Sequence, residues 1–193
     1  MNKTRLEAFS DGVIAIIITI MVLELKIPHG SDWQSLLNLA PKIISYIISF
    51  IYVAIYWNNH HHMLQTVKHV TGSILWANTH LLFWLTLVPF VTDWAGETHF
   101  AELPVAVYSA IMLMAGVAYF ILSKTIIRVH GKDSLLSSAI GNDLKGIISM
   151  VGYAIGVPVA FVYSKGTVLI IIAIAFLWLI PDRRIERKIN ENE

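Results

Sequence analysis

Apolar residues along this chain are concentrated in six long segments that short polar stretches separate. A helix needs about 20 mostly apolar residues to cross the hydrocarbon core of a bilayer. The segments that meet or approach this length are 9–27, 39–57, 70–92, 104–127, 144–163 and 165–181. The pattern therefore predicts an all-α membrane protein whose residues 1–193 form a single domain of six transmembrane helices.

The fifth and sixth segments are separated by a very short connection, Ser164-Lys165-Gly166. Because so tight a turn leaves no room for a soluble loop, we expect these two helices to form an antiparallel pair. Pro181 follows the sixth segment, and a proline at that position is expected to end the last helix.

The basic residues are distributed unevenly between alternate connections. If the N-terminus is inside, the inner connections and ends contain eleven of the fourteen Lys and Arg residues, and the outer connections contain three. Cytoplasmic loops of membrane proteins carry this excess of positive charge. The sequence therefore predicts that both termini are cytoplasmic. Since we find no eukaryotic sorting signal, we expect a multi-pass protein of a prokaryotic inner membrane.

Composition narrows the function. The chain is 56% hydrophobic and 14% charged, with a formal net charge of +1 and no cysteine. A near-neutral chain does not favour nucleic acid as a partner, and the absence of cysteine excludes disulfides and thiolate metal sites. The sequence contains no phosphate loop, dinucleotide fingerprint or nucleophile elbow. We therefore expect no enzyme activity, no resident cofactor and no bound metal.

The first apolar segment carries a stripe of residues at helical spacing. With about 100° of rotation per residue, one face holds Phe9, Gly12, Ile16, Ile20, Leu23 and Ile27, with Thr19 beside it. Such a stripe most often packs inside a helix bundle. If several copies of the helix met at an axis, the stripe would instead form stacked apolar rings, which can gate a channel by dewetting.

A polar signature stands at the start of the same segment and contains Arg5, Ser10 and Asp11. Ionisable groups near hydrocarbon are costly and usually face protein or water. Asp11 could therefore concentrate cations in an inner vestibule, or the signature could hold the helix in place through bonds to neighbouring helices. The second interpretation is favoured, because buried ionisable groups in bundles are normally paired.

Arg5-x-x-x-Phe9-Ser10-Asp11 resembles the defining motif of the transmembrane-protein-175 family, the endosomal and lysosomal potassium channels and their bacterial relatives. Further matches lie in the second and third segments. They are Ser49-Phe50, Trp57-x-x-His60, Asn78-x-x-Leu81-Leu82 and Pro89-Phe90. The resemblance covers roughly residues 5–95, and the later segments match only in hydropathy.

The resemblance implies a potassium-permeable channel. Bacterial members of the family carry one six-span repeat, so this chain should form a homotetramer in the bilayer, with the first helix lining a central pore for monovalent cations. By position in the motif, the pore constriction falls at Ile16, Ile20 and Leu23, with Gly12, Thr19 and Ile27 adjacent. The resemblance also implies a polar network that holds this helix. Its members would be Arg5, Phe9, Ser10, Asp11, Trp57 and either His60 or a neighbouring histidine.

Other interpretations stay open at this stage. A secondary or proton-coupled transporter would need discontinuous helices around a midplane site, and the first segment has no mid-span Gly or Pro. The run His60-His61-His62 suggests a metal site. However, adjacent residues on a helix point about 100° apart and cannot all bind one ion. A membrane enzyme would need a paired carboxylate or metal-spaced histidines within the spans, and the sequence has neither. A non-conducting scaffold needs no motif, so the sequence leaves that interpretation open.

Overall fold

Eight helices follow one another in the part of the chain that the computed structural model describes, which is residues 2–131, 134–140 and 143–179. They are α1 (Lys3–Leu23), α2 (Trp33–Leu37), α3 (Ala40–Gln65), α4 (Gly72–Thr86), α5 (Val88–Glu97), α6 (Glu102–His130), α7 (Leu135–Ile140) and α8 (Leu144–Leu179). No strand occurs within the described ranges. Within the same ranges, five helical stretches are long and apolar enough to cross a membrane: α1, α3, α4 with α5, α6 and α8.

Helix α1 is shifted towards the N-terminus relative to the predicted segment 9–27. It begins at Lys3, where the side chain of Asn2 accepts a hydrogen bond from the Thr4 backbone N–H. The helix ends at Leu23. Ile27 therefore lies beyond the helix in a non-helical connection and is 88% exposed. The prediction that Ile27 continues the stripe on this helix is wrong, because the chain leaves the helix at Glu24, before it reaches Pro28.

The third apolar segment forms two helices that are broken at Leu87. Pro89 stands in the first turn of α5. Proline has no N–H to donate to the carbonyl four residues earlier, so the helical ladder is interrupted there. Helices α4 and α5 together still form one apolar stretch, Gly72–Glu97.

Helix α8 contains a non-helical residue, Tyr163, with φ of −155° and ψ of 84°. The two limbs on either side of it lie next to each other. Trp178 Nε1 donates to Ser149 Oγ at 2.8 Å, and Thr167 Oγ1 donates to the Gly156 carbonyl at 2.8 Å. In a straight helix residues 149 and 178 would be about 43 Å apart. The chain therefore reverses direction at Tyr163, slightly before the predicted turn at 164–166, and the predicted end at Pro181 lies outside the described residues.

Polar contacts mark two opposite ends of the bundle. At the end that contains the N-terminus, Lys3 Nζ donates to the Gln65 carbonyl at 2.7 Å, and the Lys68 N–H donates to His130 Nε2 at 3.0 Å. At the far end, Lys42 Nζ lies 3.4 Å from Asp93 Oδ1 and also pairs with Glu97. The long helices consequently alternate in direction across the bundle.

Helix α6 lies against both α4 and α8. Elsewhere in the bundle, a small residue lets α5 approach α3 closely. At the far end, a Cβ on Gly96 of α5 would lie 2.8 Å from the Lys42 Cα of α3, so this crossing requires glycine. The close crossing places the Lys42 ammonium beside the carboxylates of α5. The same packing fixes α5 beside α1, where the candidate site lies.

Candidate pore helix and its polar anchor

Helix α1 has two different faces. One face packs against the rest of the chain and is buried; its residues are Leu6, Ser10, Ile14, Ile17 and Met21. The opposite face is apolar and exposed. Ile16 is 58% exposed, Ile20 is 41% exposed and Leu23 is 77% exposed. Gly12 and Thr19 are exposed on the same side. The stripe noted in the sequence is therefore not the face that packs within a single chain.

A polar network of three buried side chains joins α1 to α3 and α4. Ser10, His60 and Asn78 are each 0% exposed. Asn78 Nδ2 donates to Ser10 Oγ at 2.9 Å, and Ser10 Oγ in turn donates to the Leu6 carbonyl at 2.9 Å. His60 Nε2 and Asn78 Oδ1 are 2.7 Å apart. Because the amide oxygen can only accept, Nε2 carries the proton and donates.

Asp11 is held by a second contact, one residue further along α1. Trp57 Nε1 of α3 donates to Asp11 Oδ1 at 3.0 Å. The Trp57 ring stacks on the His61 ring with 5.9 Å between centroids. The hydrogen bond from the indole N–H offsets part of the desolvation cost of this carboxylate.

The three adjacent histidines diverge. His60 points into the bundle, whereas His61 Nε2 lies 3.0 Å from Gln65 Nε2 and His62 Nδ1 lies 3.4 Å from Gln65 Oε1. The structure therefore brings His60, and not its neighbours, into the network with Ser10. Among the described residues, no group of three or more potential ligands could hold a metal ion. The absence of a metal and of a resident cofactor stays a prediction.

Arg5 and Phe9 do not join this network. Among the described residues no hydrogen bond or ion pair links Arg5 to it, and Phe9 is 55% exposed on the stripe side of α1. The sequence reasoning missed the central role of Asn78, which it used only as a motif match. A buried amide in an apolar helix was the signal, because such a group requires partners for both its donor and its acceptor.

A cavity of about 550 Å³ opens beside the exposed stripe, between α1 and the α4–α5 break. Its lining residues are Val13, Ile16, Ile17, Ile20, Glu24, Thr86, Pro89, Phe90 and Asp93. Most of the wall is apolar, and the carboxylates of Glu24 and Asp93 are its only ionisable groups. Asp93 also pairs with Lys42, so its charge is already partly compensated.

Comparisons with known proteins identify the family to which the chain belongs. A family model described as the endosomal/lysosomal potassium channel TMEM175 matches residues 5–89. The chain is also 55% identical over 192 residues to a protein from a Chryseobacterium species named as a potassium channel, with 100% of both chains covered. The chain belongs to the TMEM175 family. The polar network just described accordingly lies within the segment that the family model matches.

Two further TMEM175 proteins extend the comparison. The crystal structure of a lysosomal potassium-selective channel TMEM175 homolog from Chamaesiphon minutus superposes with a TM-score of 0.79 and 27% sequence identity, covering 93% of this chain and 97% of that chain. The Gallus gallus protein named endosomal/lysosomal proton channel TMEM175 is 26% identical over 151 residues, which are 70% of this chain and 30% of that one. The bundle described above is thus the TMEM175 fold.

Proposed function

We propose that four copies of this chain form a potassium-permeable cation channel in a bacterial inner membrane, with α1 of each copy lining a central pore. One observation carries the proposal: α1 presents an apolar, exposed face that its own chain leaves uncovered, while polar bonds fix its other face. Isolated exposed apolar residues are ordinary, but a continuous face on an anchored helix favours an interface or a pore. The relatives named as potassium channels support the choice of ion.

The proposed topology has six crossings and both termini in the cytoplasm. Each limb of α8 counts as one crossing, because the two limbs run side by side in opposite directions from Tyr163. Lys3 and Lys68 then lie on the cytoplasmic side. Lys42 lies on the outer side, where Asp93 and Glu97 neutralise it. This arrangement agrees with the positive-inside rule.

In the proposed tetramer the rings of Ile16, Ile20 and Leu23 form the constriction, with Thr19 and Gly12 beside it. Alkyl side chains offer an ion no oxygen ligands, so such a ring excludes water when narrow and conducts when it widens and hydrates. The Thr19 hydroxyl donates to the Ile16 carbonyl at 2.9 Å and so retains lone pairs for water. Selectivity for K⁺ over Na⁺ is modest, because it reflects only the smaller cost of dehydrating K⁺.

A secondary or proton-coupled transporter is the alternative. Transporters of that kind bind substrate where helices are broken near the membrane midplane. Helix α1 is continuous from Lys3 to Leu23. The break at Leu87 leads directly into α5, so α4 and α5 still form one apolar stretch. The continuous α1 therefore favours the channel.

Planar-bilayer recording of purified protein, with K⁺ and Na⁺ on opposite sides, tests the proposal. The wild type should give discrete current steps whose reversal potential is shifted towards the K⁺ equilibrium potential. Ile16→Asn should raise the conductance and reduce the preference for K⁺, since an amide ring hydrates the constriction and binds either cation. The control is Val22→Asn, because Val22 is also exposed on α1 but lies about 120° round the helix from Ile16.

Two outcomes contradict the proposal. Equal changes in conductance and ion preference in Ile16→Asn and Val22→Asn would show that the constriction is not at Ile16. Saturable flux in liposomes without current steps would identify a transporter instead.

A further inference from the structure

A second cavity lies away from α1, enclosed by α3, α6 and the two limbs of α8. Its volume is about 50 Å³, which is room for roughly four water molecules. Aromatic rings make up much of its wall: Tyr52, Tyr56, Tyr119, Phe120, Tyr153 and Trp178. Gly116 and Gly146 add backbone to the wall without side chains. None of these residues takes part in the polar network that holds α1.

Two ammonium groups stand at this aromatic wall. Lys124 Nζ lies 5.2 Å from the centroid of the Phe120 ring, and Lys145 Nζ lies 5.9 Å from the centroid of the Trp178 ring. Among the described residues, no carboxylate lies within salt-bridge distance of Lys124. An exposed contact between an ammonium group and a ring is worth only about 0.5–1 kcal/mol. Lys124 can therefore leave its ring for a stronger partner.

The charges around the cavity decide which ligand fits. Asp143 contributes one carboxylate to the wall and accepts a hydrogen bond from the Gly146 N–H at 3.3 Å. Lys124 and Lys145, whose ammonium groups lie over rings of the wall, contribute two positive charges, so among the described residues named here the positive charge exceeds the negative. Arg128, one turn beyond Lys124 on α6, is exposed and adds to the positive side. A cationic ligand would be repelled at this rim, whereas an anion would be attracted.

We propose that this cavity is a binding site for an anionic phospholipid. The phosphate lies at the rim between Lys124 and Lys145, and the glycerol region or the start of an acyl chain enters between the aromatic rings. The cavity is too small for a whole lipid, so the headgroup stays outside it. Basic pockets between transmembrane helices bind anionic headgroups in this way, and Trp and Tyr prefer the same depth of the bilayer. This inference does not depend on ion conduction.

Native mass spectrometry of the purified protein with added lipid tests the site. Wild type should retain phosphatidylglycerol in preference to phosphatidylcholine. The double variant Lys124→Gln/Lys145→Gln should bind phosphatidylglycerol roughly tenfold more weakly, because each lysine near an anionic headgroup strengthens binding severalfold. The matched control, Lys68→Gln/Lys165→Gln, removes the same charge from two exposed lysines elsewhere and should bind like wild type.

A second readout separates binding from folding. Phosphatidylglycerol should raise the unfolding midpoint of the wild type but not that of Lys124→Gln/Lys145→Gln, while the two proteins unfold at the same temperature in lipid-free detergent. If the control variant lost as much lipid, the lysines would act only through general attraction of anionic lipid to positive charge, and the proposal would be overturned. Displacement of the lipid by millimolar inorganic phosphate would overturn it too, because the site would then recognise a free anion. Equal binding by all three proteins has the same consequence.

Discussion

At the scale of single residues, Asn78 is the centre of the anchor that holds α1. Its amide donates to Ser10 of α1 and accepts from His60 of α3, so one side chain on α4 joins three helices. All three residues are fully buried. A buried polar group that loses its partner keeps its full desolvation cost. The orientation of α1 about its own axis therefore depends on this amide.

Asn78→Ala should destabilise the protein by about 1–3 kcal/mol, because it leaves the buried His60 Nε2–H without an acceptor and removes the N–H that Ser10 Oγ accepts. The measurement is the midpoint of thermal unfolding in detergent. Asn58→Ala is the control, since Asn58 lies exposed on α3. An equal midpoint for the two variants would show that the network does not stabilise the bundle.

The sequence could predict that a polar network exists here, but not all of its members. Ser10 and Asp11 stood out because polar groups at the mouth of an apolar helix need partners. The choice among His60, His61 and His62 depends on how far α3 is rotated against α4, which hydropathy does not report. Phe9 matched the motif, but its side chain is exposed, since α1 turns that face away from its own bundle.

At the scale of elements, the hairpin of α8 depends on close contact between its limbs. A Cβ on Gly156 would lie 2.5 Å from Ser109 Oγ and 3.1 Å from Thr167 Cγ2. It would also disturb the Gly156 carbonyl that accepts from Thr167. A Cβ on Gly152 meets Ile174 Cδ1 at 2.8 Å, at the end of a flexible side chain that can move.

Gly156→Val should therefore destabilise the protein by about 1–3 kcal/mol, as overpacking of a dense interior does. Gly152→Ala, the control in the same limb, should cost clearly less. Unfolding midpoints of both variants in one detergent make the comparison. If the two variants lost the same stability, the close approach of Gly156 to Ser109 of α6 and to Thr167 of the other limb would not be what stabilises the hairpin.

Hydropathy located the apolar stretches but not where their helices begin, break and end. A bilayer-length run of apolar residues is visible without knowing its neighbours. The start of α1 at Lys3 depends on a cap and polar first turns, which a hydropathy window leaves out. The break at Leu87 comes from Pro89, which a hydropathy window does not register. The reversal at Tyr163 falls just before the turn predicted at 164–166. The short helix α2 has no membrane-length signal at all.

At the scale of the whole molecule, the proposed tetramer makes a prediction that the single chain cannot. The native sequence contains no cysteine, so one introduced thiol per chain gives an unambiguous crosslink. If the exposed face of α1 surrounds an axis, Ile20→Cys should form covalent dimers with a short bismaleimide, and no larger species, because each copy offers one thiol. The readout is a denaturing gel.

Ile17→Cys provides the control for this crosslink. Ile17 is adjacent to the stripe in sequence but only 2% exposed, and it faces the bundle of its own chain. It should stay monomeric under the same conditions. Dimers from both variants, or from neither, would show that the exposed face of α1 is not where the copies meet.

The central claim is that ions pass along the exposed face of α1, and thiol modification during recording tests it most directly. In the cysteine-free chain, Leu23→Cys and Val162→Cys introduce single thiols at positions that are 77% and 88% exposed. A positively charged thiosulfonate should block the current of Leu23→Cys and leave that of Val162→Cys unchanged, with complete labelling of both verified by mass spectrometry. A labelled Leu23→Cys channel that still conducts like the unlabelled one would contradict the account.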